Sequence, residues 1–453
     1  MKPLEYSFFF NKKIVSANVE SPISQLTEFL FNDLNHLTRN IEIRKLSLNN
    51  ILTNIIIGYL YGRYLIISKS PNDYTNYSWY GLNYYTYRLT VGWIEILLKE
   101  RFINQTLGFY KSETGEGKRS RINASEKLIS SLNEINNRAE NISSLQYTKN
   151  ILLKDEYKRL IKYAPSNRLV EKIKFLNEYN EFIRGEKLLL PVNIRTLKQL
   201  NFKYPLYADS YISFYHRLLS EVSINQPSPS GIPLLITLDN NLLLNKKLQG
   251  QLYRVFNQGK FTIGGRFYGG SYQQLNEVDR ARILINDSAV VEVDYSAFHL
   301  NMLYHLTGKQ INEDPYSVVD RPEIRPILKL LCLIVINSEN KSQALRALHD
   351  ELRRNSGFQK LKRIYRLDEK DLLRKFESVH AEISNYFCSG IGLRLMYRDS
   401  EIAEDVLKYF TNREIPCLCV HDSFLVPVQY KDELKQIMND VYKKHIGFEA
   451  KLK

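Results

Sequence analysis

Apolar side chains in the first hundred residues recur at the three- and four-residue spacing of amphipathic helices. The segments SPISQLTEFLFNDLNHL (21–37), ILTNIIIGYLYGRYLII (51–67) and LTVGWIEILLKERFI (89–103) each carry an apolar stripe of this kind. In the third segment the stripe consists of Leu89, Trp93, Ile96, Leu97 and Phe102. The spacing predicts an N-terminal half that is mainly helical, with helix continuing to about residue 70.

Behind the third segment the pattern changes from helical to β-prone. NQTLGFYKSETGEGKRSRINASEKLI (104–129) combines a β-prone stretch, a glycine-rich charged turn and a basic return, which predicts a hairpin. Its basic residues include Lys111, Lys118, Arg119 and Arg121. At a hairpin tip they would reach phosphates while the preceding helix lies in a groove. The order resembles a winged-helix DNA-binding domain over about residues 75–130; a solvated hairpin is the equally supported alternative.

The middle of the chain, residues 151–250, is predicted to be a helical, thumb-like connection. It separates the N-terminal region (1–150) from the C-terminal part (251–453). The proline-rich segment QPSPSGIP (226–233) marks the boundary. The residues that indicate chemistry lie in the C-terminal part.

Two aspartates in the C-terminal part follow β-prone runs. In AVVEVD the β-branched residues Val290, Val291 and Val293 predict a short buried strand that ends at Asp294. In IPCLCVHDSFLVPV (415–428) two β-rich runs flank His421 and Asp422, which predicts a tight hairpin with the aspartate at its tip. Each carboxylate is therefore expected at a rigid strand end.

If these two carboxylates are adjacent, they suit a pair of divalent cations that aligns attacking and leaving oxygens in phosphoryl transfer. Mg²⁺ prefers such oxygen ligands, and Mn²⁺ is the alternative. A single aspartate after a strand is most often a helix cap or a turn residue, so the prediction depends on the pair. Arg325 and Lys329 are four residues apart, so both can face one anionic ligand from a helix.

The composition restricts the class of protein. Lys and Arg number 63 against 49 Asp and Glu, a formal charge of +14, and 44% of the residues are hydrophobic. A folded chain with this excess of positive charge is expected to bind polyanions. The four cysteines form no disulfide framework, and the apolar runs are too short for a membrane span, which favours a soluble, cytoplasmic protein. Cys417, Cys419 and His421 alternate along a strand but lack a second pair of zinc ligands.

From about residue 250 to 430 the chain resembles the family A DNA polymerases and, more distantly, the single-subunit phage and mitochondrial RNA polymerases. Asp294-Tyr295-Ser296 is similar to motif A, Arg325-x3-Lys329 to the start of the fingers helix, and Val420-His421-Asp422 to motif C. Upstream of these, Gly265-Arg266, Gln273-Gln274-Leu275 and Arg280 are similar to the stretch that contacts template and primer. The four segments occur in the family's order.

The resemblance implies a fold and a set of roles. The fold would be α+β, a right-hand polymerase with an antiparallel palm sheet and helical fingers at about residues 309–390. Asp294 and Asp422 would bind two metal ions together with the backbone carbonyl of Tyr295. Lys329 and Arg325 would hold the triphosphate, with Lys329 protonating the leaving pyrophosphate. The remaining implied contacts to nucleic acid are Arg266, Gln274, Arg280 and His421.

Three departures from the family pattern leave the choice of sugar open and imply different base stacking in the insertion site. His299 stands where the DNA polymerases carry a glutamate that excludes the ribose 2′-hydroxyl. Asn337 and Ser338 replace a Tyr-Gly pair of the fingers, and Ser423 replaces the glutamate after motif C. His299 and Asn337 are therefore candidate contacts to the incoming nucleotide.

The leading hypothesis is a template-directed DNA polymerase that uses dNTPs, a primer and a template, with accessory replication proteins as further partners. None of the five aspartates before residue 241 is followed by Glu two positions later, so a proofreading centre is not expected. The layout resembles replication proteins of plasmids, phages and mobile elements. Two alternatives remain open: a primase-like or RNA-synthesising enzyme that uses NTPs, and a winged-helix replication initiator with a degenerate palm.

Overall fold

The computed structural model describes residues 7–193 and 243–453, except positions 18, 36, 61, 112–115, 134, 136–141, 146, 312 and 313. These residues divide into two units. The first contains the described parts of Met1–Leu152, Arg159–Ala164 and Leu189–Lys247, and the second contains Leu153–Lys158, Pro165–Leu188 and the described part of Leu248–Lys453. The predicted boundary segment QPSPSGIP (226–233) lies outside the described residues.

The described part of the first unit mixes helices with short strands. Its helices are α1 (Pro22–Leu34), α2 (Ile41–Leu60), α3 (Tyr87–Lys99) and α4 (Glu126–Asn133). Its strands are β1 (Ser7–Phe9), β2 (Ile14–Ser16), β3 (Tyr64–Ile66), β4 (Ile103–Thr106), β5 (Phe109–Lys111), β6 (Glu116–Lys118), β7 (Arg121–Ala124), β8 (Ile142–Ser144), β9 (Ile151–Leu153), β10 (Leu188–Asn193) and β11 (Leu243–Lys247). The region is therefore less helical than its sequence pattern predicts.

Helix α2 is the centre of the first core. Its residues from Ser47 to Gly58 are all buried, because α1, α3 and the sheet β1-β3-β7-β4 surround it. The predicted helix to residue 70 is wrong beyond Leu60. Gly62 has φ +59°, a left-handed conformation that ends the helix, and Tyr64–Ile66 continues as strand β3.

The predicted order of a helix followed by a hairpin occurs as α3 and strands β4 to β7. Strands β4 and β7 pair antiparallel, as do β5 and β6 beyond them. Lys118 and Arg119 are exposed, and Arg119 pairs with Asp73 at 3.3 Å. Arg121 does not lie at the tip, contrary to the prediction. It is 9% exposed within the sheet, where its Nε donates to Ser7 Oγ at 3.0 Å, because strand β7 begins earlier than the glycine-rich turn suggests.

The second unit is α+β, with an antiparallel sheet and many helices. Its helices are α5 (Asn167–Gly185), α6 (Glu277–Arg280), α7 (Phe298–Leu306), α8 (Arg325–Asn337), α9 (Lys341–Arg354), α10 (Ser356–Tyr365), α11 (Glu369–Val379), α12 (Gly392–Asn412) and α13 (Lys431–Ile446). Its strands are β12 (Tyr253–Asn257), β13 (Lys260–Tyr268), β14 (Leu284–Ile285), β15 (Ser288–Asp294), β16 (Leu418–Val420) and β17 (Ser423–Pro427). Residues 151–250 contribute α5 and three strands among those described, so that stretch is not wholly helical.

Strand β15 lies between β14 and β17, and β16 pairs with the outer side of β17. All these pairs are antiparallel. Strand β17 is buried along its whole length, but in β15 only Val293 is buried. The predicted strand is confirmed, whereas Val290 and Val291 are half-buried rather than buried. Because consecutive side chains point to opposite faces, both faces of β15 are only partly covered there.

Helix α12 packs against the antiparallel pair β12–β13. Gly264 and Gly265 have φ values of +77° and +86° in β13, and a Cβ on Gly265 would meet Phe256 at 2.8 Å and Ser400 at 2.9 Å. Only glycine fits this close approach of strand and helix. Among the described residues, no helix is long and apolar enough to cross a membrane.

Candidate active site

The register of the sheet brings Asp294 and Asp422 together. Asp294 is the last residue of β15 and pairs with Ser423, the first residue of β17. Val420 pairs with Ser423, so His421 and Asp422 form the predicted two-residue hairpin loop, with His421 at φ +59°. The Tyr295 backbone N–H donates to the Asp422 carbonyl at 3.1 Å. The two carboxylates therefore stand at the same end of adjacent strands.

Burial raises the pKa of the Asp294 carboxyl from 3.8 to about 6, and the negative charges of Asp422 and Glu292 act in the same direction. A hydrogen bond from Lys453 opposes this increase. Because the ionised form of this carboxylate is disfavoured, a cation placed beside it stabilises that form.

Lys453 supplies such a cation. Its Nζ lies 2.9 Å from Asp294 Oδ2, and Asp294 raises the pKa of this ammonium group. Backbone bonds fix the approach: Asp294 N–H donates to Lys453 O at 3.1 Å, and Lys453 N–H donates to Asp294 O at 3.0 Å. Nothing in the sequence pattern predicts this pairing, because it joins residues that are 159 positions apart without a strand-like run at the end.

The donor atoms at this site fit Mg²⁺. Asp294 and Asp422 offer carboxylate oxygens, which hard cations prefer. The Tyr295 ring is buried, with its hydroxyl donating to Met438 O at 2.6 Å, so this residue can offer only backbone atoms. No group of three or more His, Cys, Asp or Glu side chains with metal-binding geometry occurs among the described residues, so a metal ion at this site would have to be held by the two carboxylates and main-chain oxygen.

A second cluster consists of Arg266, Asp399 and His299. Arg266 Nε donates to Asp399 Oδ2 at 2.9 Å, and His299 Nε2 lies 2.8 Å from the same oxygen. Asp399 is 1% exposed, Arg266 18% and His299 13%. Burial lowers the pKa of Arg266, but the charge and the hydrogen bond of Asp399, with Asp422 contributing, together raise it above its usual value.

Asp399 is a residue that the sequence analysis missed. It lies inside the amphipathic helix α12, where a lone carboxylate resembles any other polar position. Only the burial of Asp399 distinguishes it from other polar helix residues, and this burial is not evident from the sequence. The structure brings the predicted residues Arg266 and His299 together through this unpredicted carboxylate.

His421 lies beside the same cluster. Burial and the charge of Arg266 lower the pKa of its imidazole. Its ring meets the Tyr268 ring edge-on, with centroids 5.6 Å apart. Its Nδ1 atom is buried without a hydrogen-bond partner among the described residues, so this side chain has an unused polar atom.

Arg280 is paired within the sheet. Its guanidinium group donates to both Glu292 oxygens at 2.8 and 2.7 Å, and Ser423 Oγ donates to Glu292 Oε1 at 2.6 Å. This bidentate pair neutralises Arg280, so the expected contact of Arg280 with nucleic acid competes with Glu292. In the structure Arg280 braces β15, the strand that ends in Asp294.

Arg325 and Lys329 lie on α8, and both are near the Tyr316 ring. Arg325 is the first residue of the helix and binds Asp314 through two bonds of 2.6 and 2.9 Å. The Lys329 ammonium is 5.6 Å from the Tyr316 ring centre, and the side chain is exposed. Burial raises the pKa of Tyr316, and Asp422 contributes, so this group lies within electrostatic reach of Asp422. Lys329 is therefore the cation better placed for an anionic ligand.

The structure does not bring every predicted residue to the aspartates. Asn337 is the exposed last residue of α8, and its amide donates to Leu333 O at 2.8 Å. Gln274 is half-buried in a short turn (Ser271–Gln274), whereas its neighbour Gln273 donates to Cys419 O at 2.9 Å. Lys118, Arg119 and Arg121 belong to the first unit. Cys417 and Cys419 are free and buried.

No protein-family model matches this chain, and no curated protein matches it either. Among solved structures it is weakly similar to the POL domain of Pol1 from M. smegmatis in complex with a DNA primer-template and dNTP. The sequence identity is 14% and the TM-score 0.26, and the match covers 57% of this chain and 54% of that one. The match thus spans about half the length of the solved structure.

Proposed function

We propose that this protein is a template-directed nucleotidyltransferase whose active centre is formed by Asp294 and Asp422, with a right-hand arrangement of palm and fingers. The observation that carries the proposal is the pairing of β15 with β17, which sets the two carboxylates side by side at one strand end. Four sequence segments in the order of the family A polymerases support it. The favoured product is DNA, made without proofreading for a plasmid, phage or mobile element.

The residues of this chain divide the work. Asp294, Asp422 and the Tyr295 carbonyl would hold Mg²⁺, with Mn²⁺ as the alternative. Two bound ions would activate the attacking hydroxyl and neutralise the leaving phosphate. Lys329 and Arg325 attract the triphosphate of the incoming nucleotide, and Arg325 must exchange Asp314 for it.

The sugar site distinguishes the two polymerase hypotheses. His299 offers a small, half-buried ring held by Asp399, in place of a carboxylate at this position. An imidazole nitrogen can form a hydrogen bond with a ribose hydroxyl, whereas a carboxylate there excludes it. This observation favours RNA synthesis, or mixed use of dNTPs and NTPs, as the second candidate function.

The test is primer extension on a defined template with Mg²⁺, with dNTPs and NTPs offered separately and with and without primer. The Asp294→Asn and Asp422→Asn proteins keep the side-chain shape but lose the charge, and both are expected to be inactive. Asp432→Asn is the matched control, because Asp432 is an exposed helix residue of the same unit. Full activity in a folded Asp422→Asn protein would refute the mechanism. Sequence-specific DNA binding without any synthesis would favour the replication initiator.

A further inference from the structure

A basic cleft of about 550 Å³ lies in the second unit, between α5, β13, α12 and α13. It is lined by Arg168, Lys260, Thr262, Ile263, Arg394, Tyr397, Arg398, Glu401 and His445. Lys260, Arg394 and Arg398 are exposed, and no ion-pair partner occurs for any of the three among the described residues. The cleft uses none of the residues that the proposed catalytic mechanism requires.

The charges in the cleft do not balance. Glu401 is its carboxylate, and this group is already shared by Lys172 at 2.8 Å, Arg254 at 3.0 Å and Arg168 at 3.1 Å. Burial raises the pKa of Glu401, but Arg254 and Lys172 together lower it to about 2. His445 is tied to Asp405 at 3.0 Å. The positive charges of Lys260, Arg394 and Arg398 therefore remain available to an anion.

The arrangement fits a chain of phosphates better than one small anion. A compact anion is bound by converging buried donors, whereas these three cations are exposed and come from two different elements. Arg394 and Arg398 are one helical turn apart on α12, and Arg394 lies in the first turn, where the helix dipole also favours negative charge. Exposed cations spread along a cleft are the usual contacts of a sugar–phosphate backbone.

The cleft and the Arg266–Asp399 cluster of the candidate active site lie on the same two elements, β13 and α12. From Thr262 to Arg266 the strand advances at most about 13 Å, and from Arg394 to Asp399 the helix advances about 7.5 Å. One strand of a duplex carries a phosphate about every 3.4 Å along the axis. A strand held at Arg266 would therefore pass the cleft about two to four nucleotides away.

We propose that Lys260, Arg394 and Arg398 form a sequence-independent binding cleft for the backbone of the nucleic-acid strand that occupies the candidate active site. The nature of the ligand rests on the proposed function, but the cleft can be tested without catalysis. Binding of labelled primer–template is measured by fluorescence anisotropy at several salt concentrations, with EDTA and without nucleotide. The variants are Arg394→Ala/Arg398→Ala and, as the matched control, Lys431→Ala/Lys435→Ala, an exposed pair with the same spacing on α13.

Loss of two phosphate contacts is expected to reduce the slope of log affinity against log salt by about 1.8, which corresponds to about 60-fold weaker binding at 0.1 M salt. The control pair should keep the original slope. An unchanged slope in the cleft variant, or an equal change in the control, would overturn the proposal. The proposal would also be overturned if binding of an acidic peptide, but not binding of nucleic acid, required Arg394 and Arg398. That result would assign the cleft to a protein partner.

The outcomes also separate this proposal from the proposed function. Salt-dependent binding that requires the cleft, in a protein that makes no product, would uphold the cleft and refute the polymerase. Normal extension and normal binding by Arg394→Ala/Arg398→Ala would refute the cleft alone. Absence of nucleic-acid binding by the unaltered protein would refute both.

Discussion

The Arg266–Asp399–His299 cluster offers the sharpest test of the structure. The perturbation is Asp399→Asn, which keeps the side-chain volume but removes the charge that Arg266 and His299 share. Asp399 is 1% exposed and Arg266 18%, so the substitution leaves a cation largely buried without its counter-charge. The substitution therefore perturbs the buried cluster and not the surface of the protein.

The expected cost follows from burial. Removing one partner of a buried ion pair costs about 3–5 kcal/mol. Arg266 is partly accessible and lies near Asp422, so the lower end, about 3 kcal/mol, is expected. For a domain of 150–250 residues, that is a decrease in melting temperature of about 6–12 °C. Asp405→Asn is the control on the same helix, where the partners are more exposed and the cost should stay below about 1 kcal/mol.

Calorimetry on Asp399→Asn, Arg266→Met and the double variant measures the coupling directly. If Asp399 and Arg266 are in contact, the free energy of unfolding lost in the double variant should be smaller than the sum of the losses in the two single variants, by 1 kcal/mol or more. Because His299 shares the same oxygen, Asp399→Asn should also raise the nucleotide KM and alter the preference for dNTP over NTP. A coupling energy near zero, or a melting temperature equal to that of Asp405→Asn, would refute the reasoning.

Three further predictions concern individual charges. The folded pKa of Asp294 is raised to about 6, so this group stabilises the metal-free fold only at low pH, and the contribution is lost as pH rises from 3.8 through about 6. For the same reason, Mg²⁺ affinity measured by calorimetric titration should fall as pH drops below 6. Equal affinity at pH 5 and 7 would contradict the raised pKa. Lys453→Ala should tighten Mg²⁺ binding a few-fold, because it removes a competing cation that is 62% exposed, whereas Lys443→Ala, which breaks an exposed pair with Glu449, should leave it unchanged. Arg121→Ala should lower the stability of the first unit by about 1–2 kcal/mol, since it removes buried hydrogen bonds. Lys118→Ala, in contrast, should weaken DNA binding without a change in melting temperature. The reverse pattern would refute the burial of Arg121.

The sequence was sufficient to predict the elements that depend on local pattern. The hairpin at His421-Asp422 and the strand ending at Asp294 follow from β-branched runs and turn residues, and both occur. The helices after residue 325 were expected from the resemblance to the polymerase fingers rather than from a local pattern, and α8 to α11 occur there. Pairing of β15 with β17 was only a condition of the prediction, because register between distant strands depends on packing that no local pattern contains.

Contacts between distant residues explain the rest. Asp399 is separated from Arg266 by 133 positions, and nothing in its neighbourhood distinguishes a buried carboxylate from an exposed one. Arg280 and Arg325 were expected to face ligands, yet Glu292 and Asp314 bind them, since an arginine takes whichever carboxylate the fold supplies. Gly265, before Arg266, belongs to a segment similar to the family's nucleic-acid-contacting stretch. In the structure a glycine is required at this position because any side chain would clash with Ser400 and Phe256.

One buried arginine relates the two proposed sites to each other. Arg254 is 1% exposed; it donates to the Gly265 carbonyl at 2.6 Å and to Ser400 Oγ at 2.8 Å, and it pairs with Glu404. Gly265 precedes Arg266, and Ser400 follows Asp399, so the same guanidinium group fixes strand and helix at the level of the cluster. Glu401, which it also contacts, lines the cleft. The spacing between the cleft and the Arg266–Asp399 cluster is thus set by a strand and a helix rather than by loops, which is what binding one strand at two points requires.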